Sequence, residues 1–118
     1  MQLILDQLPP SLHQQREVLG RCLRAFDESL PTQQIYLFGS HLRGEANEHS
    51  DIDLCIVADG VTDQLAAAQV LRRATRDIRP KPPFTLIPIS PERLLEKQAR
   101  HDPFFTTILE EGLLIAKD

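Results

Sequence analysis

Two aspartates separated by a single residue, Asp51 and Asp53, open the apolar run DIDLCIVA at positions 51–58. Alternate residues of an extended chain share a face. Both carboxylates therefore project from one side, while Ile52, Leu54 and Ile56 occupy the other. Carboxylates held this close repel one another unless a cation neutralises them. Their hard oxygens suit magnesium, which usually takes one or two carboxylates together with substrate phosphates. Ten residues separate Asp51 from the end of a second notable feature, Gly39-Ser40, which follows the apolar stretch QIYLF at 34–38. Glycine lets the backbone approach a ligand closely, and serine supplies a hydroxyl and an amide at what can become a helix N-terminus. Such a turn suits an anion such as phosphate. A phosphate-holding turn facing a magnesium-holding pair is equipment for phosphoryl or nucleotidyl transfer.

Each piece has an ordinary reading when taken alone. A Gly-Ser turn after a strand is commonly just a turn, a D-x-D at a strand start is commonly a solvated end, and Arg43 alone is a surface residue. His41 and His49 flank the turn and read as solvated loop histidines rather than zinc ligands. It is the order of the pieces, set between two apolar strands, that gives the segment LFGSHLRGEANEHSDIDLCIV chemical meaning.

The elements that must position these residues are legible from spacing and punctuation. Ser11 and Gln14 have the separation of a capping box and open a helix running to about Ser29. Leu12, Leu19, Leu23, Phe26 and Leu30 form its apolar stripe, and Pro31 blocks its continuation. Gln34–Phe38 and Asp51–Ala58 read as strands. Thr62 or Asp63 caps a further helix, whose buried face is Ala67, Leu71, Ala74 and Ile78. The prolines at 80, 82 and 83 lead into a third strand, Phe84–Ile89, where Pro88 indicates an edge position or a bulge. Ser90-Pro91 and Asp102-Pro103 each pair an N-cap with proline at the first helical position. Gly112 can end the last helix, and Leu113–Ala116 can form a closing strand. The predicted fold class is α/β of the α+β type, a small mixed sheet with flanking helices.

A chain of 118 residues suffices for one domain, 1–118, with one core. Its apolar content of 42% and charged content of 25% are those of an ordinary globular protein. The net charge of -4 gives no global attraction to nucleic acid, so nucleic acid is not the expected partner, although a local basic patch could hold a small anion. Cys22 and Cys55 lack ligand spacing and read as small buried hydrophobes. No run approaches the ~20 apolar residues of a membrane span, and MQLILDQLPP lacks the features of a signal peptide. The expected location is the cytoplasm. No feature of the sequence fixes an oligomeric state.

The pattern GSx10DxD, with Arg43-Gly44 inside it and Ser50 before the first aspartate, resembles the nucleotidyltransferase fold of the DNA polymerase beta superfamily. Size and element order are similar to those of its stand-alone minimal nucleotidyltransferases, and ILEEGLLIA at the end looks like that family's last helix and strand. The resemblance implies that Gly39 and Ser40 grip a triphosphate, that Asp51 and Asp53 hold two magnesium ions and are the catalytic carboxylates, and that Arg43 lies near the phosphates. It implies transfer of a nucleoside monophosphate from ATP or another triphosphate to a hydroxyl. It also implies a protein partner, since such domains often work beside a helical HEPN-type protein in toxin–antitoxin pairs. One departure stands out. The family places a third carboxylate on the strand before the last helices, and the matching position here is Thr85, which reads as a β-branched strand residue. His41 also sits where many relatives carry arginine. The alternative reading is therefore a catalytically degenerate, nucleotide-binding antitoxin subunit that acts by contact.

Overall fold

Strand β3, Ile52–Ala58, is apolar on both faces beyond its first turn of pleat, and this dictates a sheet covered on two sides. Ile52, Leu54 and Ile56 are wholly buried on one face, and Cys55 and Val57 are buried on the other. The computed structural model, which describes residues 1–118, places this strand inside a five-stranded sheet of order β1-β5-β2-β3-β4. Its remaining strands are β1 (Gln2–Leu3), β2 (Thr32–Phe38), β4 (Phe84–Ile89) and β5 (Leu113–Lys117). Only the β3–β4 pair is parallel, as its connection through a helix requires. The mixed sheet with flanking helices expected from the sequence is what forms.

Helices α1 (Arg16–Ser29) and α3 (Gln64–Ala74) cover the face of Ile52, Leu54 and Ile56. Leu19, Leu23 and Phe26 of α1 and Leu71 of α3 are fully buried there. Removing one such side chain, as in Leu54→Ala, costs about 2–5 kcal/mol. Helices α4 (Pro91–Ala99) and α5 (Pro103–Glu111) cover the opposite face, where Leu94, Phe105 and Ile108 pack on Cys55, Val57 and Ile89. The expected caps form: Asp63, Ser90 and Asp102 each accept backbone N–H bonds at the start of α3, α4 and α5. Pro88 lies in the edge strand, where a missing N–H is tolerated. Cys22 and Cys55 are both buried, and burial pushes the Cys55 thiol up to about 12. No helix is long and apolar enough to cross a membrane.

Two expectations need correction. The first helix does not begin at Ser11: Pro10–Gln15 form a 3-10 helix whose N-cap, Pro9, makes no side-chain cap bond, and α1 starts only at Arg16. The Ser11 hydroxyl is instead committed to His41, thirty residues away, so no capping box forms. The Ala67–Ile78 face is shorter than its periodicity: α3 ends at Ala74, leaving Ala74 and Ile78 half-buried and Thr75 buried. The amino terminus, to which the sequence pattern assigns no element, forms β1, antiparallel to β5. Two residues are too few to show a period, so only the neighbouring strand reveals it.

Candidate active site

The carboxylate pair sits where β2 ends and β3 begins. Phe38 lies opposite Asp53 in the antiparallel register, so the chain leaving β2 turns directly over that side chain. The turn is Gly39, with φ +81° and ψ −153°, a region that residues with a Cβ scarcely enter. A Cβ built on Gly39 would collide with the Asp53 carboxylate. Two constraints, one of dihedral and one of space, therefore demand glycine here. Gly39→Ala is expected to destabilise the fold by at least ~2 kcal/mol. A urea midpoint equal to the wild type would show that the turn does not depend on glycine.

Helix α2 (Ser40–Arg43) follows at once. The Asp53 carboxyl is held above the usual carboxylate range, first by burial and then by the nearby charge of Asp51; the Thr85 hydroxyl and the Ser40 backbone N–H oppose the rise. Asp51 is exposed just before β3, and the Thr85 hydroxyl donates to its Oδ2 at 2.8 Å. Because β4 runs parallel to β3, Thr85 stands directly beside Asp53. Its hydroxyl thus lies between the two carboxylates, which corrects the reading of Thr85 as a plain strand-filling residue. Asp77 and Glu92, the nearest acids in sequence, lie outside β4, and no group of three or more His, Cys, Asp or Glu side chains gathers anywhere in the chain.

His41 is not the solvated loop residue its context indicates. It is 4% exposed. Its Nε2 faces the Ser50 carbonyl at 3.4 Å and its Nδ1 faces the Ser11 hydroxyl at 2.9 Å. A carbonyl can only accept, so Nε2 carries a hydrogen and donates. With both nitrogens engaged, His41 ties the 3-10 helix to the residue preceding Asp51 and has no lone pair free for a metal. Nothing local in the sequence announces this clamp. His49, by contrast, is solvent-exposed beside Glu48 at 3.4 Å. Arg43 donates from Nε to Glu45 Oε2 at 3.3 Å with both side chains more than half exposed. No hydrogen bond or ion pair links it to either aspartate. The fold thus brings Gly39, Ser40, Asp51, Asp53 and Thr85 together, and leaves Arg43 at the rim.

A turn closed by glycine over paired carboxylates, on neighbouring strands, is matched by a known sequence family. The family profile described as "Nucleotidyltransferase domain" covers residues 19–111. The chain belongs to the nucleotidyltransferase domain family. The nucleotidyltransferase resemblance read from the sequence is thereby borne out. The matched span includes every residue of the candidate site, from Gly39 to Thr85.

Among solved structures, a candidate nucleotidyltransferase from Sulfolobus solfataricus superimposes with a TM-score of 0.57 at 19% identity, covering 86% of this chain and 78% of that one. The toxin–antitoxin MntA-HpeT, in a mutant form, gives 0.50 at 18% identity, covering 84% and 73%. A toxin–antitoxin with AMP-PNP gives 0.46 at 22% identity, covering 86% and 73%. At these identities the likeness concerns the nucleotidyltransferase fold. No curated protein matches the chain.

Proposed function

We propose that this nucleotidyltransferase domain transfers a nucleoside monophosphate from a triphosphate, with ATP the leading candidate, to a hydroxyl of a protein partner. The observation that carries this reading is the retained pair Asp51 and Asp53 beneath the Gly39-Ser40 turn. A purely structural role gains nothing from two crowded carboxylates, one of which is held above its ordinary pKa by burial and by the other's charge. That tension is what a bound cation relieves. The donors present, two carboxylates and the Thr85 hydroxyl, are all oxygens and fit magnesium. Asp51 and Asp53 would hold it, and when bound it supplies charge neutralisation at the phosphates.

The residues of the chain divide the remaining work. Gly39 lets the turn pass close over the Asp53 carboxylate; the Ser40 amide is already directed at that carboxylate, so the Ser40 hydroxyl is the group of the turn left to meet phosphate oxygens. Arg43, at the rim and tied only to an exposed glutamate, is free to swing toward an added negative charge; an exposed pair of this kind contributes about 0–1 kcal/mol. Thr85 fixes the orientation of Asp51. In the transfer, the acceptor oxygen bonds to the α-phosphorus, the bond to pyrophosphate breaks, and the hydroxyl proton leaves to solvent or to a carboxylate. No third carboxylate stands ready to take that proton. A general base typically contributes ~10²–10⁴-fold, so the reaction proposed here is slow.

A second reading rests on the same absence. With Thr85 in the third position, the domain binds nucleotide and metal but neutralises a partner by contact alone. The toxin–antitoxin context of MntA-HpeT motivates a toxin as the partner in either reading, with a helical HEPN-type protein as the expected form. The deciding experiment incubates the protein with its chromosomally neighbouring gene product, magnesium and ATP, followed by intact-mass spectrometry. A partner heavier by one or more nucleoside monophosphates supports transfer. A stable complex with unchanged mass supports the contact reading.

A further inference from the structure

A cleft of about 860 Å³ does not contain Asp51, Asp53, Gly39 or Ser40. It lies around the corner from them, and its wall is shared through His41 and Ser50, the chain neighbours of Ser40 and Asp51. Only two of its sixteen lining residues are hydrophobic, so polar and charged side chains surround any occupant. Arg21 of α1 and Arg79 and Lys81 of the α3–β4 loop line it, opposed by Glu17 and Glu48.

The cleft opens on a face whose charge runs against that of the whole chain. Residues 16–29 and 64–83 hold eight of the thirteen Lys and Arg but only four of the seventeen Asp and Glu. Their balance is +4 within a chain of -4. None of those eight cations forms an ion pair; every ion pair in the structure belongs to a cation elsewhere. Arg21 and Lys81 come from segments some sixty residues apart, yet both act on the buried Cys22 thiol, so the fold converges them. Pro80, Pro82 and Pro83 bracket Lys81 and fix its backbone φ surroundings. The Nε of Arg79 donates to the Arg76 carbonyl at 3.3 Å, leaving its terminal nitrogens available.

We propose that this cleft is a second anion site, in which Arg21, Lys81 and Arg79 bind a small phosphate-bearing molecule independently of the carboxylate pair. Its volume lies within the range of small-molecule sites, about 300–1,000 Å³. Guanidinium forks together with an ammonium point charge are the donors that suit phosphate. The ligand is a free polyphosphate or a nucleotide. Sharing a wall with Ser50, it lies within one residue of Asp51, so an occupant is placed to act as acceptor or effector for the neighbouring centre.

The test is isothermal titration of sodium tripolyphosphate into the full chain in excess EDTA, so that no metal is present. One-to-one binding is expected, weakened at least tenfold by Arg21→Gln with Lys81→Gln and unaffected or strengthened by Asp51→Asn with Asp53→Asn. Both cleft positions reach solvent, so the variant is expected to fold; Lys81→Gln alone, read the same way, replaces it if the pair does not. Titrating ATP in EDTA separates the two sources: ATP tighter than tripolyphosphate assigns a nucleotide, and equal affinity assigns the phosphates alone. Absence of metal-free binding at millimolar tripolyphosphate, or equal binding by the glutamine variant, would overturn the proposal. So would a single-stranded RNA that binds far more tightly and tightens with length, since that outcome makes the face a nucleic-acid surface. A parallel titration of magnesium-ATP reports on the carboxylate pair, so failure of one site is distinguishable from failure of the other.

Discussion

Replacing Asp51 and Asp53 together with asparagine is expected to abolish magnesium-dependent ATP binding and leave the domain folded. The metal proposal rests on these two oxygen donors, and the amides that replace them carry no charge to hold a cation against repulsion from the triphosphate. The fold, in contrast, gains from their removal when metal is absent. Asp53 has its carboxyl held above the ordinary range by burial first and by Asp51 second. A carboxyl whose folded pKa exceeds its unfolded value favours the fold in its protonated form. Stability is therefore lost as pH rises from the unfolded value through the raised folded value, and the penalty is complete above it. The asparagine pair lacks that penalty, so at neutral pH without metal the double variant should melt no lower than the wild type. Magnesium affinity in the wild type should fall as pH drops through the raised pKa of Asp53, because proton and metal compete for the same oxygens. Calorimetric titration across pH and thermal melts in EDTA check both halves. Unchanged ATP affinity in a folded double variant would falsify the metal assignment.

Thr85→Asp is expected to raise magnesium-dependent transfer to the true acceptor by at least about tenfold, the low end of a general base's contribution being ~10². The expectation rests on register. Thr85 is directly beside Asp53 on the adjacent parallel strand, so a carboxylate there joins the same cluster rather than a distant one. The variant should also be less stable without metal, since a third negative charge joins two that already repel. Thr85→Val tests the hydroxyl itself. Because that hydroxyl donates to Asp51 Oδ2, its removal should free Asp51 to rotate and slow transfer about fivefold, the equivalent of one ordinary hydrogen bond of ~1 kcal/mol. Undetectable transfer in both wild type and Thr85→Asp, with ATP still bound and the partner present, would sink the enzyme reading and leave the contact reading.

Much of this protein is determined by short-range pattern. The alternation in DIDLCIVA puts both aspartates on one face because a strand repeats every two residues, and no distant contact can change that parity without a register slip. The caps at Asp63, Ser90 and Asp102 form because each satisfies orphan amides two or three residues along. Pro88 is confined to an edge because it cannot donate to a ladder. The GS and DxD motifs were legible for the same reason, since each is written within a few consecutive residues.

Only the tertiary structure decided the rest. The Ser11 hydroxyl had a local use, a helix cap, and a distant one, His41; packing brought the distant partner within 2.9 Å and the cap was lost. His41 became a buried clamp because the 3-10 helix closes over it, an event thirty residues away in sequence. Thr85 became a hydrogen-bond donor to Asp51 because β4 pairs in parallel with β3, an order that α3 sets by carrying the chain across the sheet. The net charge of -4 concealed a positive face because summing charge over a chain discards position, and only the packing of α1 beside α3 and the 79–83 loop gathers Arg21, Arg79 and Lys81 around one cleft.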